Sequence, residues 1–333
     1  MQENIVVVGA GGWGTALSIV LSENFKNVYL WARTNEIVEE INTFRTNQQY
    51  LPNSSLPENI IATTSNDVFD KSDIIVNAVP TQYIRNFYSK YNINLKNKYI
   101  VNASKGIENK SILTISGIFR EVYGVDENHY CILTGPSHAE EVCNKLPTAI
   151  VAGSKNEKLV ELVQKAFTTD YFRVYTSDDV IGCEIGGSLK NVIAIAAGIL
   201  DGLGLGDNTK AALLTRGLAE IARLGVSLGA DHKTFSGLSG LGDLFVTCNS
   251  KHSRNRNFGE KIGLGQKAKD ILEHSKMVVE GVFTSESAYE LSVNNNIDMP
   301  ITSQIYNTIF EGKDPKEAIN ELMTRDRKNE WYS

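Results

Sequence analysis

The fold of the N-terminal half is decided by residues 5–14, which read Ile5-Val6-Val7-Val8-Gly9-Ala10-Gly11-Gly12-Trp13-Gly14. The four β-branched residues at its start predict a parallel strand that is buried on both faces. The strand leads directly into glycines at positions 9, 11 and 14, and then into residues 15–21, whose pattern predicts a helix. In this context Gly9 permits a tight turn, Gly11 lets the backbone approach a pyrophosphate, and Gly14 lets helix and strand pack closely. The stretch therefore predicts a dinucleotide-binding loop with the pyrophosphate at a helix N-terminus.

Strand and helix signals alternate through the rest of this half. Further strands are predicted at residues 28–31, 60–62, 74–79, 99–102, 130–134 and 149–152, with helical patterns between them at residues 82–91 and 112–123. This alternation predicts an α/β fold with a doubly wound sheet of Rossmann type. After about residue 178 the strand signals stop and small apolar residues recur at helical spacing. We therefore expect a dinucleotide-binding domain over residues 1–182 and an all-helical substrate-binding domain over residues 183–333.

Composition narrows the class of protein. The chain has 333 residues, 42% hydrophobic, and a net charge of −6 without a block of like charges, which argues against nucleic acid as a partner. A strand signal begins almost at the N-terminus and leaves no room for a signal peptide, and the most apolar later stretch, residues 192–200, is too short for a membrane span. No His, Cys, Asp or Glu cluster has metal-ligand spacing, so no metal is expected. These features predict a soluble, cytoplasmic protein.

Arg33 bears on the choice of cofactor. It follows the second predicted strand, where NAD-selective sites carry an acid that binds the ribose 2′-OH. An arginine there stacks on adenine and accepts a 2′-phosphate, so NADPH is expected to be at least tolerated. Glu36 lies three residues further on, and a solvent-exposed arginine is the alternative interpretation. The preference between NADPH and NADH therefore stays open.

Four residues are candidates for proton transfer, because reduction of a ketone needs a donor for the oxygen that becomes the alcohol. Lys190 is an isolated cation in a small, apolar segment, so it must either extend to water or have a partner. Asp243, flanked by glycine and apolar residues, is the natural partner, although a helix N-cap would explain it as well. Thr247 would share a helical face with Asp243. Lys105 follows a predicted apolar strand.

Two further segments indicate an anion site. Residues 252–257 read His-Ser-Arg-Asn-Arg-Asn and precede a helix predicted at residues 258–262. Arg254 can bind a phosphate through a bidentate fork, and helix N-terminal amides add donors, while a solvated polar loop is the alternative. Residues 134–141 form a tight loop that could close over a cofactor, although ordinary turn chemistry also explains it.

Six segments, taken in order, resemble the glycerol-3-phosphate dehydrogenase family in its bacterial NAD(P)-dependent form. They read GAGGWGTAL, ASKGIE, TGPSHAEEV, EIGGSLKNVIAIAAGI, LSGLGDLFVTC and SRNRNFG, and the resemblance runs from residue 5 to about residue 310. It implies reversible hydride transfer that reduces dihydroxyacetone phosphate to sn-glycerol 3-phosphate with NADPH or NADH. It also implies a role in supplying glycerophospholipid synthesis and binding of the substrate in a cleft between the domains.

The resemblance also implies roles for individual residues. Lys190 would be the general acid, while Lys105 and Asp243 bind substrate oxygens and Thr247 adds a hydrogen bond. The remaining substrate-binding residues would be Gly135, Ser137, Ser253, Arg254 and Asn255. The cofactor-binding residues would be Gly9, Gly11, Gly12, Trp13, Gly14, Arg33, Lys105, Ala139, Arg254, Val278 and Glu280. Gly12 departs from relatives that often carry Ser or Asn, which puts only a side-chain contact in doubt.

Other interpretations remain open at this point. A 3-hydroxyacid or 6-phosphogluconate-type dehydrogenase also pairs a Rossmann domain with a helical one, but it handles a carboxylate, so a requirement for phosphate would discriminate. A dinucleotide sensor without catalysis would bind NADPH and turn nothing over. The helical half is also expected to support a homodimer.

Overall fold

The computed structural model describes residues 2–275, 278–327 and 329–330. The chain forms two compact units, the first from Met1–Lys105 and Ile115–Val180 and the second from Gly106–Thr114 and Ile181–Ser333. The division near residue 180 lies close to the expected boundary. Residues Gly106–Thr114, which were expected in the first domain, group with the second unit instead. Their backbone is held there by side chains of that unit, since Ser188 Oγ accepts a bond from Gly106 N.

The first unit contains one sheet of eight strands in the order β3-β2-β1-β4-β5-β6-β7-β8. Neighbouring strands run parallel except for β6 and β7, which are antiparallel. The strands are β1 (Gln2–Val8), β2 (Phe25–Trp31), β3 (Ile60–Thr63), β4 (Ile74–Asn77), β5 (Tyr99–Asn102), β6 (Tyr130–Thr134), β7 (Thr148–Gly153) and β8 (Phe172–Ser177). The expected doubly wound α/β architecture is confirmed.

Strand β8 was not predicted, and its position at the sheet edge explains why. Its residues alternate between buried and exposed, with Phe172 and Val174 inside and Arg173 and Tyr175 outside. An edge strand with one solvated face lacks the continuous apolar run by which the central strands were recognised. By contrast, every residue of β4 and β6 is buried.

Helices pack on this sheet and close its core. They are α1 (Gly12–Ser22), α2 (Asn35–Glu39), α3 (Thr81–Lys90), α4 (Ile115–Tyr123), α5 (Ala139–Cys143) and α6 (Glu157–Phe167). Helix α1 buries all but its first two residues and its last, so it lies against the centre of the core. Helix α6 begins where Asn156 Oδ1 accepts bonds from Lys158 N and Leu159 N, which satisfies two amides of its first turn.

The described part of the second unit is built from helices and short turns, as the sequence predicts. They are α7 (Val180–Gly202), α8 (Asp207–Ser227), α9 (Asp243–Asn249), α10 (Arg254–Gly263), α11 (Ala268–Glu273), α12 (Glu280–Asn294), α13 (Pro300–Phe310) and α14 (Pro315–Met323). Helix α7, at 23 residues, is longer than the apolar stretch judged from sequence and is long and apolar enough to cross a bilayer. However, 94% of its most apolar window is buried inside the protein, which is typical of the core helix of a globular domain.

Helices α7 and α10 approach until their backbones touch. A Cβ atom added to Gly198 would lie 1.9 Å from the carbonyl oxygen of Arg256, and one added to Gly259 would lie 2.0 Å from that of Ile195. Only glycine permits such an approach. The consequence is that Lys190 on α7 and the N-terminus of α10 belong to one closely packed pair of helices.

Candidate active site

The glycine loop has the geometry that a dinucleotide needs. Gly9 adopts a φ of +106°, which favours glycine, and its N–H donates to Trp31 O over 3.1 Å. A Cβ at Gly14 would lie 2.0 Å from Gly9 O, so helix and strand could not pack with any side chain there. A Cβ at Gly11 would meet no protein atom within 4 Å, which leaves this backbone open to a ligand. The loop therefore fits a pyrophosphate at the start of α1.

Three more predicted cofactor residues surround this loop. The indole Nε1 of Trp13 donates to Ala103 O over 3.0 Å. A Cβ at Gly12 would lie 2.8 Å from Tyr50 O and 3.9 Å from the Cβ of Ala139. Glycine at position 12 thus suits a close approach of the residue 50 backbone, and Ala139 lies beside the loop as expected. Sequence reasoning had not singled out Tyr50, which no local pattern connects to the loop.

Lys105, Gly135 and Ser137 come together where β5 and β6 end. Lys105 Nζ donates to Gly135 O over 3.1 Å, and Ser137 Oγ donates to the same oxygen over 2.9 Å. Gly135 adopts a φ of +139°, and a Cβ there would lie 3.0 Å from Ile150 Cα. Glycine is therefore required for this turn, and the turn holds a cation at the carboxyl edge of the sheet.

A buried hydrogen-bond network lies at the ends of β4 and β5, directly before Lys105 in the chain. Asn77 and Asn102 end their strands with no exposed surface, and Asn77 Nδ2 donates to Asn102 Oδ1 over 2.8 Å. Ser104 N donates to Asn102 Oδ1, and Ser104 Oγ donates to Val79 O over 2.7 Å. These bonds tie together the turns after β4 and β5. A polar residue at the end of each apolar strand is the signal in the sequence that could have indicated this network.

Arg33 stands two residues beyond the end of β2 and is exposed. Glu36 is also exposed, and hydrogen bonds from its own backbone N–H and from Thr34 hold the pKa of its carboxyl below its usual value. The position of Arg33 next to the carboxyl end of β1 fits contact with the adenosine part of a dinucleotide, because β1 and β2 are paired up to Val8 and Trp31.

In the second unit, Lys190 is paired rather than extended into water. Its residue is 7% exposed, and Nζ donates to a carboxylate oxygen of Asp243 and, over 2.9 Å, to Thr247 Oγ1. Thr247 Oγ1 in turn donates to Asp243 O over 2.6 Å. Asp243 has no exposed surface and is the first residue of α9. The N-cap of this helix is Gly242, so the alternative of an N-cap role for Asp243 is wrong. A buried ammonium with an oriented carboxylate is a potential proton donor.

A thiol lies in the same region of the core but does not share this chemistry. Burial raises the pKa of Cys248 to about 12, despite the opposing influence of Lys190. The thiol therefore remains protonated at neutral pH and is a poor nucleophile.

The predicted anion segment differs from the sequence interpretation at its helix boundary. Helix α10 begins at Arg254, not at residue 258, and Ser253 caps it by accepting a bond from Arg256 N over 3.2 Å. The first-turn amides that could bind an anion thus belong to residues 254–257, within the predicted anion segment itself. Arg254 is exposed and its guanidinium donates to Val278 O over 3.1 Å, which brings the segment before α12 to this helix end.

Asn255 joins three elements. Its Nδ2 donates to Asn191 Oδ1 and its Oδ1 accepts from Gly281 N, each over 2.9 Å. Gly281 follows Glu280, the first residue of α12 and a predicted cofactor contact. The second arginine of the segment is engaged elsewhere, since Arg256 Nε donates to Asp201 over 2.7 Å. Only Arg254 of the two is therefore presented for an anion.

The structure thus gathers the predicted residues, apart from Arg33, into three groups. The first contains Gly9, Gly11, Gly12, Trp13, Gly14 and Ala139 with the neighbouring cluster of Lys105, Gly135 and Ser137. The second contains Lys190, Asp243 and Thr247. The third contains Ser253, Arg254, Asn255, Val278 and Glu280. Among the residues that the structure describes, no three His, Cys, Asp or Glu side chains come together as a metal site.

Comparisons with known proteins show the family to which the chain is similar. Residues 4–160 match the family described as NAD-dependent glycerol-3-phosphate dehydrogenase N-terminus, and residues 179–320 match its C-terminus. The chain is 49% identical to the glycerol-3-phosphate dehydrogenase (NAD(P)+) of Carboxydothermus hydrogenoformans over 328 residues, covering 98% of each chain. It is 47% identical to the enzyme of the same name from Staphylococcus aureus, covering 98% of this chain and 99% of the relative.

A solved structure extends the agreement to the fold. The crystal structure of glycerol-3-phosphate dehydrogenase from Coxiella burnetii superposes with a TM-score of 0.92 at 35% identity, covering 97% of this chain and 99% of that one. The likeness covers nearly the whole chain. The chain belongs to the NAD-dependent glycerol-3-phosphate dehydrogenase family.

Proposed function

We propose that the chain catalyses the reversible reduction of dihydroxyacetone phosphate to sn-glycerol 3-phosphate with NADPH or NADH. The observation that carries this proposal is the buried Lys190, which holds a proton between the carboxylate of Asp243 and the hydroxyl of Thr247. Family membership supplies the substrate class, and the glycine loop before α1 supplies the fit to a dinucleotide.

The chemistry requires two transfers to one carbonyl group. A nicotinamide dinucleotide held at the glycine loop would supply the hydride for the carbonyl carbon. Lys190 Nζ gives its proton to the carbonyl oxygen, and in the reverse direction the neutral amine takes the proton from the hydroxyl. Asp243 keeps the ammonium oriented, while the bond between Thr247 and Asp243 O holds the threonine hydroxyl in line.

The phosphate of the substrate is assigned to Ser253, Arg254 and Asn255. The amides of the first turn of α10 and the Arg254 guanidinium together suit a dianion. Lys105, with Gly135 and Ser137, would bind the remaining oxygens of substrate and cofactor.

Two sets of residues are assigned to the cofactor. Gly9, Gly11, Gly12, Trp13 and Gly14 would hold the pyrophosphate end with Ala139 alongside, and Arg33 would contact the adenosine. Arg254, Val278 and Glu280 would complete the contacts. Arg33 favours acceptance of NADPH, because a guanidinium pairs with a 2′-phosphate.

Three wider assignments follow from family membership. We propose a cytoplasmic enzyme that supplies sn-glycerol 3-phosphate to phospholipid synthesis. We also propose that it acts as a homodimer on small-molecule substrates.

The direct test is a spectrophotometric assay of the purified chain. NADPH and NADH oxidation would be followed with dihydroxyacetone phosphate and, as a control, with dihydroxyacetone. We expect oxidation to require the phosphate ester, because Arg254 and the α10 amides have no partner in the unphosphorylated ketone. Equal rates on both ketones would contradict the assigned phosphate site. Stoichiometric NADPH binding without oxidation on either would favour a sensor, and activity on 3-hydroxyacids alone would favour the other dehydrogenase class.

A further inference from the structure

Asn47 lies beneath the glycine loop although it is 37 residues away in sequence from the loop residue that it contacts. Its side chain has no exposed surface. One Nδ2 hydrogen is donated to Ala10 O over 3.0 Å, and the other to Thr15 Oγ1 over 2.9 Å. A single amide thus binds the loop on both sides of Gly11.

The turn that carries Asn47 is anchored independently of the loop. Leu51 N donates to Asn47 O over 2.8 Å, and Leu51 is buried in the core of the first unit. Outside the turn, Glu40 Oε1 accepts bonds from Gln48 N over 2.7 Å and from Thr46 Oγ1 over 3.0 Å. Asn47 therefore contacts the loop from a turn that is held by its own hydrogen bonds and by a core residue.

The bond to Ala10 O controls the direction of the next amide. A trans peptide unit is planar, with its C=O and N–H pointing in opposite directions. When Asn47 holds the carbonyl of Ala10, the N–H of Gly11 must point away from Asn47. The following peptide is held as well, because Thr15 N donates to Gly11 O over 2.9 Å. Both peptide units next to Gly11 are thereby fixed.

Gly11 is also the position at which the loop is open. A Cβ placed there would meet no protein atom within 4 Å, whereas one at Gly12 or Gly14 would meet backbone. An anion that approaches this opening binds more tightly if the N–H groups already point toward it, because fixed donors bind without a free-energy cost of reorientation.

The amide of Asn47 is retained at an energetic disadvantage. Its Oδ1 is buried and has no hydrogen-bond partner among the described residues. An unsatisfied buried acceptor destabilises a fold, so an apolar side chain would be favoured here if filling space were the only requirement. The two hydrogen bonds that Nδ2 donates, to Ala10 O and Thr15 Oγ1, are the interactions that only the amide provides.

We infer that Asn47 is a positioning residue for the dinucleotide: it orients the Gly11 amide toward the pyrophosphate without touching the cofactor itself. The inference rests on the proposed function, because it requires that the loop bind a dinucleotide.

Asn59 provides a matched control at the other end of the same helix. Its Nδ2 donates to Ser22 O over 2.9 Å and to Phe25 O over 3.0 Å, where α1 ends and β2 begins. It shares with Asn47 the residue type and the number of bonds, but not the proximity to the loop. Loss of stability alone should therefore affect both asparagines, whereas loss of orientation should affect only Asn47.

The experiment compares Asn47→Leu, Asn47→Asp and Asn59→Leu with the unaltered chain. For each, the Kd of NADPH and of ADP-ribose would be measured by calorimetric titration, and the Tm would be measured without ligand. We expect Asn47→Leu to weaken both ligands by about tenfold, as the loss of one oriented hydrogen bond implies. ADP-ribose should lose as much as NADPH, because it contains the pyrophosphate and lacks the nicotinamide. Asn59→Leu should lower the Tm and leave both Kd values within about twofold.

The isosteric Asn47→Asp variant carries the same test if Asn47→Leu fails to fold. A carboxylate cannot donate to Ala10 O and brings negative charge near the phosphates, so it should weaken binding at least as much. The inference is overturned if the Asn47 variants bind both ligands as tightly as Asn59→Leu does. It is overturned together with the proposed function if the unaltered chain binds neither ligand, so the two failures are distinguishable.

Discussion

At the scale of single residues, the burial of Lys190 with Asp243 is costly, because two charges leave water for a low-dielectric interior. Replacing such a pair by apolar side chains is often neutral or stabilising, so the pair is weak evidence for a structural role. The proposed proton transfer accounts for the pair better, since reduction of a ketone needs a proton donor beside the carbonyl oxygen. Thr247 completes the site with a hydroxyl that bonds both partners.

Replacing Lys190 should separate chemistry from binding. We expect Lys190→Ala to lower kcat roughly 10²- to 10⁴-fold, the usual contribution of general acid catalysis, with the Kd of NADPH unchanged. Lys190→Arg should be almost as inactive, because a guanidinium keeps the charge but does not release a proton near neutral pH. Steady-state kinetics and a cofactor titration would check both.

Lys210 is the matched control for these variants. It forms a partly buried pair with Asp201 over 2.8 Å in the same unit. Lys210→Ala should keep kcat within about fivefold, because Lys210 is not among the residues assigned to proton transfer or substrate binding and its loss acts mainly through stability. A Lys190→Ala variant as active as Lys210→Ala would exclude Lys190 as the acid.

At the scale of elements, the contact between α7 and α10 sets the geometry of the second unit. Lys190 lies on the first helix, and Arg254 and Asn255 lie at the start of the second. Since Gly198 lets the two backbones touch, the separation of these helices cannot increase without moving the residues proposed to bind phosphate relative to the lysine. Close helix packing therefore positions the predicted chemistry.

A side chain at Gly198 should disrupt this contact. Gly198→Ser would place Cβ 1.9 Å from Arg256 O, which is backbone and cannot rotate away. We expect a loss of at least about 2 kcal/mol in the free energy of unfolding, measured by urea denaturation. Gly206→Ser is the control, since a Cβ there meets nothing within 4 Å and serine is a good N-cap for α8. Equal stability of the two variants would contradict the close packing.

At the scale of the whole molecule, each unit has its own hydrophobic core, and stability depends on groups buried in them. Glu220 on α8 is one such group. Its carboxylate accepts bonds from Ile301 N over 2.7 Å, Thr302 N over 3.1 Å and Thr302 Oγ1, and so caps the N-terminus of α13. Burial raises its pKa from 4.5 to about 7, although these bonds and Arg223 oppose the shift.

The raised pKa makes stability depend on pH. Between pH 4.5 and 7 the folded state retains a proton on Glu220 that the unfolded state has lost. The stabilisation of the folded state by this proton is therefore complete below pH 4.5 and is lost as the pH rises through about 7. The shift corresponds to roughly 3 kcal/mol, since one pKa unit is about 1.4 kcal/mol. Glu220→Gln cannot titrate at this position. As the pH rises from 5 to 8, the stability of the variant should therefore increase relative to that of the unaltered chain. Urea midpoints at both values would measure this.

An exposed glutamate provides the comparison. Glu161→Gln on α6 should show the same pH dependence as the unaltered chain. If Glu220→Gln also shows that dependence, the carboxyl of Glu220 does not titrate in this range.

The sequence by itself determined the strand–loop–helix start, the doubly wound sheet, the helical second half, and the identity of Lys190 and Asp243 as an unusual pair of charges. These features depend on short-range patterns of apolar, glycine and charged residues, which a linear sequence displays. Only the tertiary structure revealed edge strand β8, the start of α10 at Arg254, the transfer of Gly106–Thr114 to the second unit, and the reach of Asn47 to Ala10. Each of these depends on partners distant in the chain, and folding alone decides which backbone groups such side chains meet.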